Sequence, residues 1–171
     1  NMPEEINRVL VDHCSDLLLC PTTTAVDNLK KEGIVENVRL TGDVMVDAQR
    51  DCERIAESKS HILEDLDLEP QSYYLATIHR ASNTDDPENL RAIALALEDL
   101  DDVVIPCHPR AEKYLRKYGL WDDLEKKIRM IKPVGYLDML LLEKNAKKIV
   151  TDSGGVQKEA YLLGIPCITL R

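Results

Sequence analysis

Asp152-Ser153-Gly154-Gly155, followed one helical turn later by Glu159, is the densest concentration of chemistry in this sequence. An apolar run, Ile149-Val150, leads into it. The pattern Val156, Ala160, Leu163 behind it predicts a helix that begins at once. Paired glycines at a strand-to-helix turn let a ligand come close to the backbone. The first N–H groups of such a helix lack intrahelical partners, and the helix dipole favours an anion there. Ser153 adds a hydroxyl, and Glu159 a carboxylate that can accept from sugar hydroxyls. The set reads as a phosphate-and-ribose site, or else as a structural turn with Ser153 as N-cap.

Three further loops fall at the carboxyl ends of predicted strands, where open parallel sheets bind ligands. They are His79-Arg80, His108-Pro109-Arg110 and Pro133-Val134-Gly135-Tyr136. His79 reads as a cap for the next helix or as a site residue. His108 is similar, with Pro109 fixing the turn. Arg80 and Arg110 read as surface charges or as pyrophosphate ligands. Tyr136 reads as core. Cys107 beside His108 suggests a nucleophile pair, but adjacent strand residues point to opposite faces. Glu4 and Glu5 suit a first helical turn through the dipole alone; otherwise one of them is a general acid or base. His13 and His61 suggest no function.

The elements that position these residues alternate. From Tyr73 onward the sequence predicts strands at 73–78, 103–107, 128–131, 149–151 and 166–170. Helices are expected from about Asp86, from Pro109 toward Tyr118-Gly119, over 136–145 and over 155–163. Short apolar strands between amphipathic helices indicate an α/β class with a Rossmann-like parallel sheet covered on both faces. Residues 1–43 have the same grammar, helix–strand–helix–strand, and read as the end of a preceding domain. Residues 44–171 read as a second domain entered through one or two helices over 44–66. Pro3 with Glu4 and Glu5 at one end, and a strand followed by Arg171 at the other, suggest a piece of a longer protein.

Composition narrows the partners. With 31% charged and 44% apolar residues the chain reads as soluble and globular, and a net charge of −9 argues against nucleic acid. A nucleotide needs only a local nest of donors and stays compatible. Five widely spaced cysteines without a C-x-x-C pair read as reduced thiols in a cytoplasmic protein. No apolar run approaches membrane-span length, so no membrane partner is expected, and the short acidic runs read as solvated faces, not metal sites.

Taken together these residues resemble the non-hydrolysing UDP-N-acetylglucosamine 2-epimerases over essentially the whole chain. The resemblance rests on Pro3-Glu4-Glu5-Ile6-Asn7-Arg8, Pro21-Thr22-Thr23-Thr24-Ala25 with Asn28-Leu29, and Thr41-Gly42-Asp43. It continues through His79-Arg80, Pro133 with Tyr136-Leu137, and the run from Thr151 to Ala160. It implies two Rossmann-like domains of the glycosyltransferase-B type, here with the first mostly missing, and a homodimer for the complete enzyme. By position it makes Ser153, Gly154 and Gly155 the diphosphate loop and Glu159 the ribose carboxylate. Val134 and Met139 fall where the family contacts uracil. His79 falls near the diphosphate, and Glu4 among the acid/base carboxylates. Neither cofactor nor metal is implied. The implied reaction inverts C2 of UDP-N-acetylglucosamine by eliminating and re-adding UDP. Ser82 stands where the family often has Glu, and Lys158 where an acidic residue is common. A family stretch bearing another catalytic carboxylate is absent, so this chain alone is expected not to turn over. Rival readings are a UDP-sugar-dependent glycosyltransferase, a hydrolysing relative releasing ManNAc, and a non-catalytic nucleotide-binding module.

Overall fold

The computed structural model describes residues 3–170; the closing Arg171 lies outside them. The chain folds into two compact units, Asn1–Arg50 and Asp51–Arg171. The first comprises α1 (Pro3–Cys14), β1 (Leu18–Cys20), α2 (Thr23–Lys31), β2 (Val38–Leu40) and the start of α3 (Val44–Lys59). β1 and β2 pair in parallel, Leu18 opposite Val38 and Cys20 opposite Leu40. Thr22 caps α2 by accepting from the Ala25 N–H at 3.2 Å. Leu29 of α2 then packs on Leu18 and Cys20.

The second unit continues with α4 (Ile62–Asp65), β3 (Tyr74–Thr77), α5 (Ala81–Thr84), α6 (Pro87–Glu98), β4 (Val103–Pro106), α7 (Pro109–Lys117) and α8 (Trp121–Lys127). It closes with β5 (Arg129–Ile131), α9 (Tyr136–Asn145), β6 (Lys148–Thr151), α10 (Gly154–Leu163) and β7 (Cys167–Thr169). Five parallel strands run in the order β5-β4-β3-β6-β7. The expected Rossmann-like sheet is therefore present.

Both faces of this sheet are buried, which is why its strands read as apolar runs without polar alternation. Ala76, Val103, Ile105 and Val150 join one core, with Leu90, Ala94 and Leu97 of α6, Leu115 of α7 and Leu124 of α8. Leu75, Val104 and Ile149 point the other way, into a core with Leu142 of α9 and Ala160 of α10. Helix starts follow local chemistry. Asp86 accepts from the N–H groups of Glu88 and Asn89 at 2.8 and 3.2 Å, ahead of Pro87 at the first turn of α6.

Two helices were not foreseen from sequence. The segment after Pro109 breaks at Gly119, which has φ of 68°, and α8 follows. Glycine adopts that left-handed conformation without strain, so the chain turns and restarts. The single turn α5 has no apolar periodicity to betray it; buried side-chain hydrogen bonds hold it instead.

Candidate functional site

Strand order reverses between β3 and β6, and a crevice at such a point lies beyond the carboxyl ends of the strands. The two strands are joined there by Thr77 and Thr151, whose hydroxyl oxygens lie 2.5 Å apart. Thr151 Oγ1 also accepts the Ser153 N–H at 2.9 Å, which bends the chain from β6 into α10. A cavity of about 180 Å³ opens at this place. His79, Val134, Met139 and Ser153 line it together with His108 and Val156. Four residues picked from separate stretches of sequence thus share one wall-to-wall space.

Gly154 and Gly155 form the exposed first turn of α10. Neither has a positive φ, so backbone conformation does not demand glycine at either position. What they leave is room. Apart from the adjoining residues and the helix's own backbone, no atom of the described residues lies within 4 Å of a Cβ placed on Gly154, and Ser153 Oγ, at 3.7 Å, is the one near a Cβ on Gly155. Ser153 is the N-cap, its hydroxyl accepting from the Val156 N–H at 3.4 Å. The cap reading of this residue therefore holds, and the cap stands at the mouth of an open helix tip. Helix geometry leaves the N–H groups of Gly154 and Gly155 without intrahelical acceptors.

Glu159 lies one turn deeper and is 8% exposed. Its Oε1 accepts from the Tyr136 hydroxyl at 2.9 Å. Tyr136 is not core as expected: it is 46% exposed, because it stands at the N-terminus of α9 beside the loop after β5. Burial and the neighbouring Glu159 push its phenol above the usual range, so it stays a donor.

Asp152 was named in the sequence reading but given no role. Its buried carboxylate accepts the His79 N–H at 3.0 and 3.1 Å, the Arg80 N–H at 2.9 Å and Asn83 Nδ2–H at 3.0 Å. The loop after β3 is wrapped around it. Its available signal was its place, an acid directly at the end of an apolar strand. Arg110 is turned away from ligand duty: its guanidinium pairs with Asp85 at 2.6 Å and donates to Thr84 Oγ1 at 3.0 Å. Arg80 and Ser82 are exposed. Burial pushes the Cys107 thiol up to about 11, which removes it as a nucleophile.

Glu4 lies in the first unit, exposed in the first turn of α1. Its neighbour Glu5 is tied to Arg8 at 2.8 Å, and Arg8 also holds Asp12 and Glu32, each at 2.6 Å. A larger concavity of about 580 Å³ surrounds Arg8. With that guanidinium engaged by three carboxylates, the smaller cavity at the strand reversal is the better anion site.

Glu143 on α9 is 1% exposed, and neither carboxyl oxygen has a hydrogen-bond partner among the described residues. Burial, reinforced by the charge of Glu159, raises it from 4.5 to about 9. A carboxyl raised on folding binds more protons folded than unfolded, so stability falls as pH climbs from about 4.5 to about 9. Glu143→Gln is expected to remove that part of the slope and to stabilise the fold at neutral pH by roughly 2–3 kcal/mol. Urea denaturation of both proteins at acid, neutral and alkaline pH measures the difference; parallel pH profiles would refute it.

Comparison with known proteins follows this geometry. The family described as UDP-N-acetylglucosamine 2-epimerase matches residues 1–171. A Methanococcus maripaludis protein named UDP-N-acetylglucosamine 2-epimerase homolog is 52% identical over 99% of this chain and 49% of its own length. The Pseudomonas aeruginosa UDP-2,3-diacetamido-2,3-dideoxy-D-glucuronate 2-epimerase is 42% identical over 99% of this chain and 48% of its own. The crystal structure of Methanocaldococcus jannaschii UDP-GlcNAc 2-epimerase in complex with UDP-GlcNAc and UDP superposes with a TM-score of 0.87. It is 46% identical and is matched over 100% of this chain and 49% of that one. The chain thus spans about half the length of the relatives that it matches.

Proposed function

Because this chain belongs to the UDP-N-acetylglucosamine 2-epimerase family, we propose that it carries the UDP-binding half of an enzyme interconverting UDP-N-acetylglucosamine and UDP-N-acetylmannosamine. The observation that carries this reading is the open tip of α10 at the strand reversal, bordering a cavity lined by His79, Val134, Met139 and Ser153. In this assignment the diphosphate lies against the N–H groups of Gly154 and Gly155 and the Ser153 hydroxyl. Glu159, oriented by Tyr136, accepts from the ribose. Val134 and Met139 flank the uracil. The Pseudomonas aeruginosa relative is named a 2-epimerase of a UDP-linked sugar, and the UDP side is the side that these residues would meet.

The proposed chemistry needs few parts. A base takes the C2 proton, the C1–oxygen bond breaks, and UDP leaves with that electron pair while a C1–C2 double bond forms. UDP then adds back to C1 as a proton returns to C2 from the opposite face. The charge that builds on the leaving diphosphate is the charge that an open helix tip stabilises. His79 is assigned to proton transfer at the diphosphate, and Glu4 to the acid/base carboxylates. Residues 1–43 are read as the end of the first Rossmann-like domain and 44–171 as most of the second. UDP binding is proposed for this chain, and turnover for a protein with both halves of the fold, a cytoplasmic homodimer.

Calorimetric titration with UDP tests the reading. Binding is expected, with Ser153→Ala and Glu159→Ala each weakening it. Loss of a hydrogen bond to the charged Glu159 corresponds to about 1.5–3 kcal/mol, roughly 10- to 100-fold. Absence of heat with millimolar UDP, or variants as tight as the parent, would remove the nucleotide reading.

A further inference from the structure

We propose that the two histidines lining this cavity are held in opposite tautomers, His79 by the buried Asp152 carboxylate and His108 by the Arg110 backbone, so that the site offers one proton acceptor and one proton donor. The His79 and His108 rings lie 5.7 Å apart between centroids, inclined at 40°, and both border the cavity. The Nδ1 of His79 faces a carboxylate, whereas that of His108 accepts a backbone hydrogen bond.

His79 Nδ1 lies 3.2 Å from Asp152 Oδ1. The Asp152 side chain is wholly buried, and every hydrogen bond drawn to it comes from a donor: the His79 and Arg80 backbone N–H groups and Asn83 Nδ2. A carboxylate placed only among donors favours hydrogen on His79 Nδ1 as well. Nε2, on the far edge of a ring that is 40% exposed, then carries a bare lone pair. His108 is arranged the other way. It is the N-cap of α7, and its Nδ1 accepts the Arg110 N–H at 3.1 Å. Its hydrogen therefore belongs on Nε2, a donor.

Asp152 is in this view a positioning residue. It shapes the loop after β3 through backbone N–H groups and selects the nitrogen that His79 presents. The inference deepens the UDP-sugar reading and rests on it only for the ligand: His79 Nε2 takes the proton from a monoprotonated UDP phosphate as UDP adds back, and as imidazolium gives it to the phosphate oxygen when UDP leaves, while His108 Nε2–H donates a hydrogen bond to a phosphate oxygen.

Long-range ¹H–¹⁵N NMR of the 171-residue chain without nucleotide, at a pH where imidazoles are neutral, reads both tautomers directly. His79→Gln and His108→Gln assign the resonances. His79 is expected to show a protonated Nδ1 and bare Nε2, and His108 the reverse. Asp152→Asn is expected to lose the His79 preference, while Asn83→Ala, which keeps the carboxylate, retains it. A wild-type His79 protonated at Nε2, or a pattern disturbed equally by Asn83→Ala and Asp152→Asn, overturns the assignment; the wild-type spectrum decides even if Asp152→Asn does not fold. Since no nucleotide is present, this outcome is separate from the UDP titration, and either can fail alone.

Discussion

Alanine at both Gly154 and Gly155 is expected to lower UDP affinity by about 100-fold or more while leaving the fold as stable as before. The expectation follows from what surrounds the two residues. Their backbone angles suit any L-residue, and beyond the adjoining residues and the helix's own backbone a Cβ on either meets no atom of the described residues closer than 3.7 Å. Alanine is also the better helix former, so stability should stay level or rise by up to about 1 kcal/mol. A diphosphate seated on the N–H groups, however, needs the volume that the two methyls would fill. Two hydrogen bonds to a charged group, each about 1.5–3 kcal/mol, account for a loss of that size. Calorimetry with UDP and a melting curve on the same sample provide the check. Undiminished binding would move the phosphates away from the α10 tip. A collapse in melting temperature would mean that the glycines serve the fold.

Asp152→Ala is expected to act in the opposite sense, through the fold first. It strips the acceptor from the His79 and Arg80 N–H groups and from the buried Asn83 amide. Each donor left unpaired in a buried place costs about 1–3 kcal/mol, part of which entering water recovers. A net loss of about 3 kcal/mol is the expected result, or roughly 6–12 °C in melting temperature for a chain of this size. Thermal denaturation measures it. A change below about 0.5 kcal/mol would show that the loop after β3 holds its path without the carboxylate.

The two substitutions also show which parts of the molecule were legible in its sequence. The Rossmann-like sheet was, because apolar strands such as Leu75-Ala76 and Ile149-Val150 feed two cores at once and leave no polar alternation. The open helix tip was, because Ser153-Gly154-Gly155 follows a strand and opens a helix. The roles of Tyr136 and Asp152 were not. A tyrosine at a helix start carries the same sequence signal whether it faces a core or the carboxylate of Glu159. Asp152 gathers donors from residues about 70 positions away, and nothing local announces such a meeting. Glu143 was hidden for a related reason. It ends the run Met139-Leu140-Leu141-Leu142, where a glutamate ordinarily marks the wet side of a helix, yet here the packing of α9 leaves it dry.

The sheet itself has a seam. Strands β5, β4 and β3 form one flank, β6 and β7 the other; the β3–β6 ladder with its two threonine hydroxyls, and the Asp152 carboxylate that holds the loop after β3, join them. The cavity takes walls from both flanks: Thr77 and Pro106 on one side, Ser153 and Val156 on the other. A guest lodged there is a rivet. Binding energy drawn from both flanks favours the closed sheet over any state in which they part.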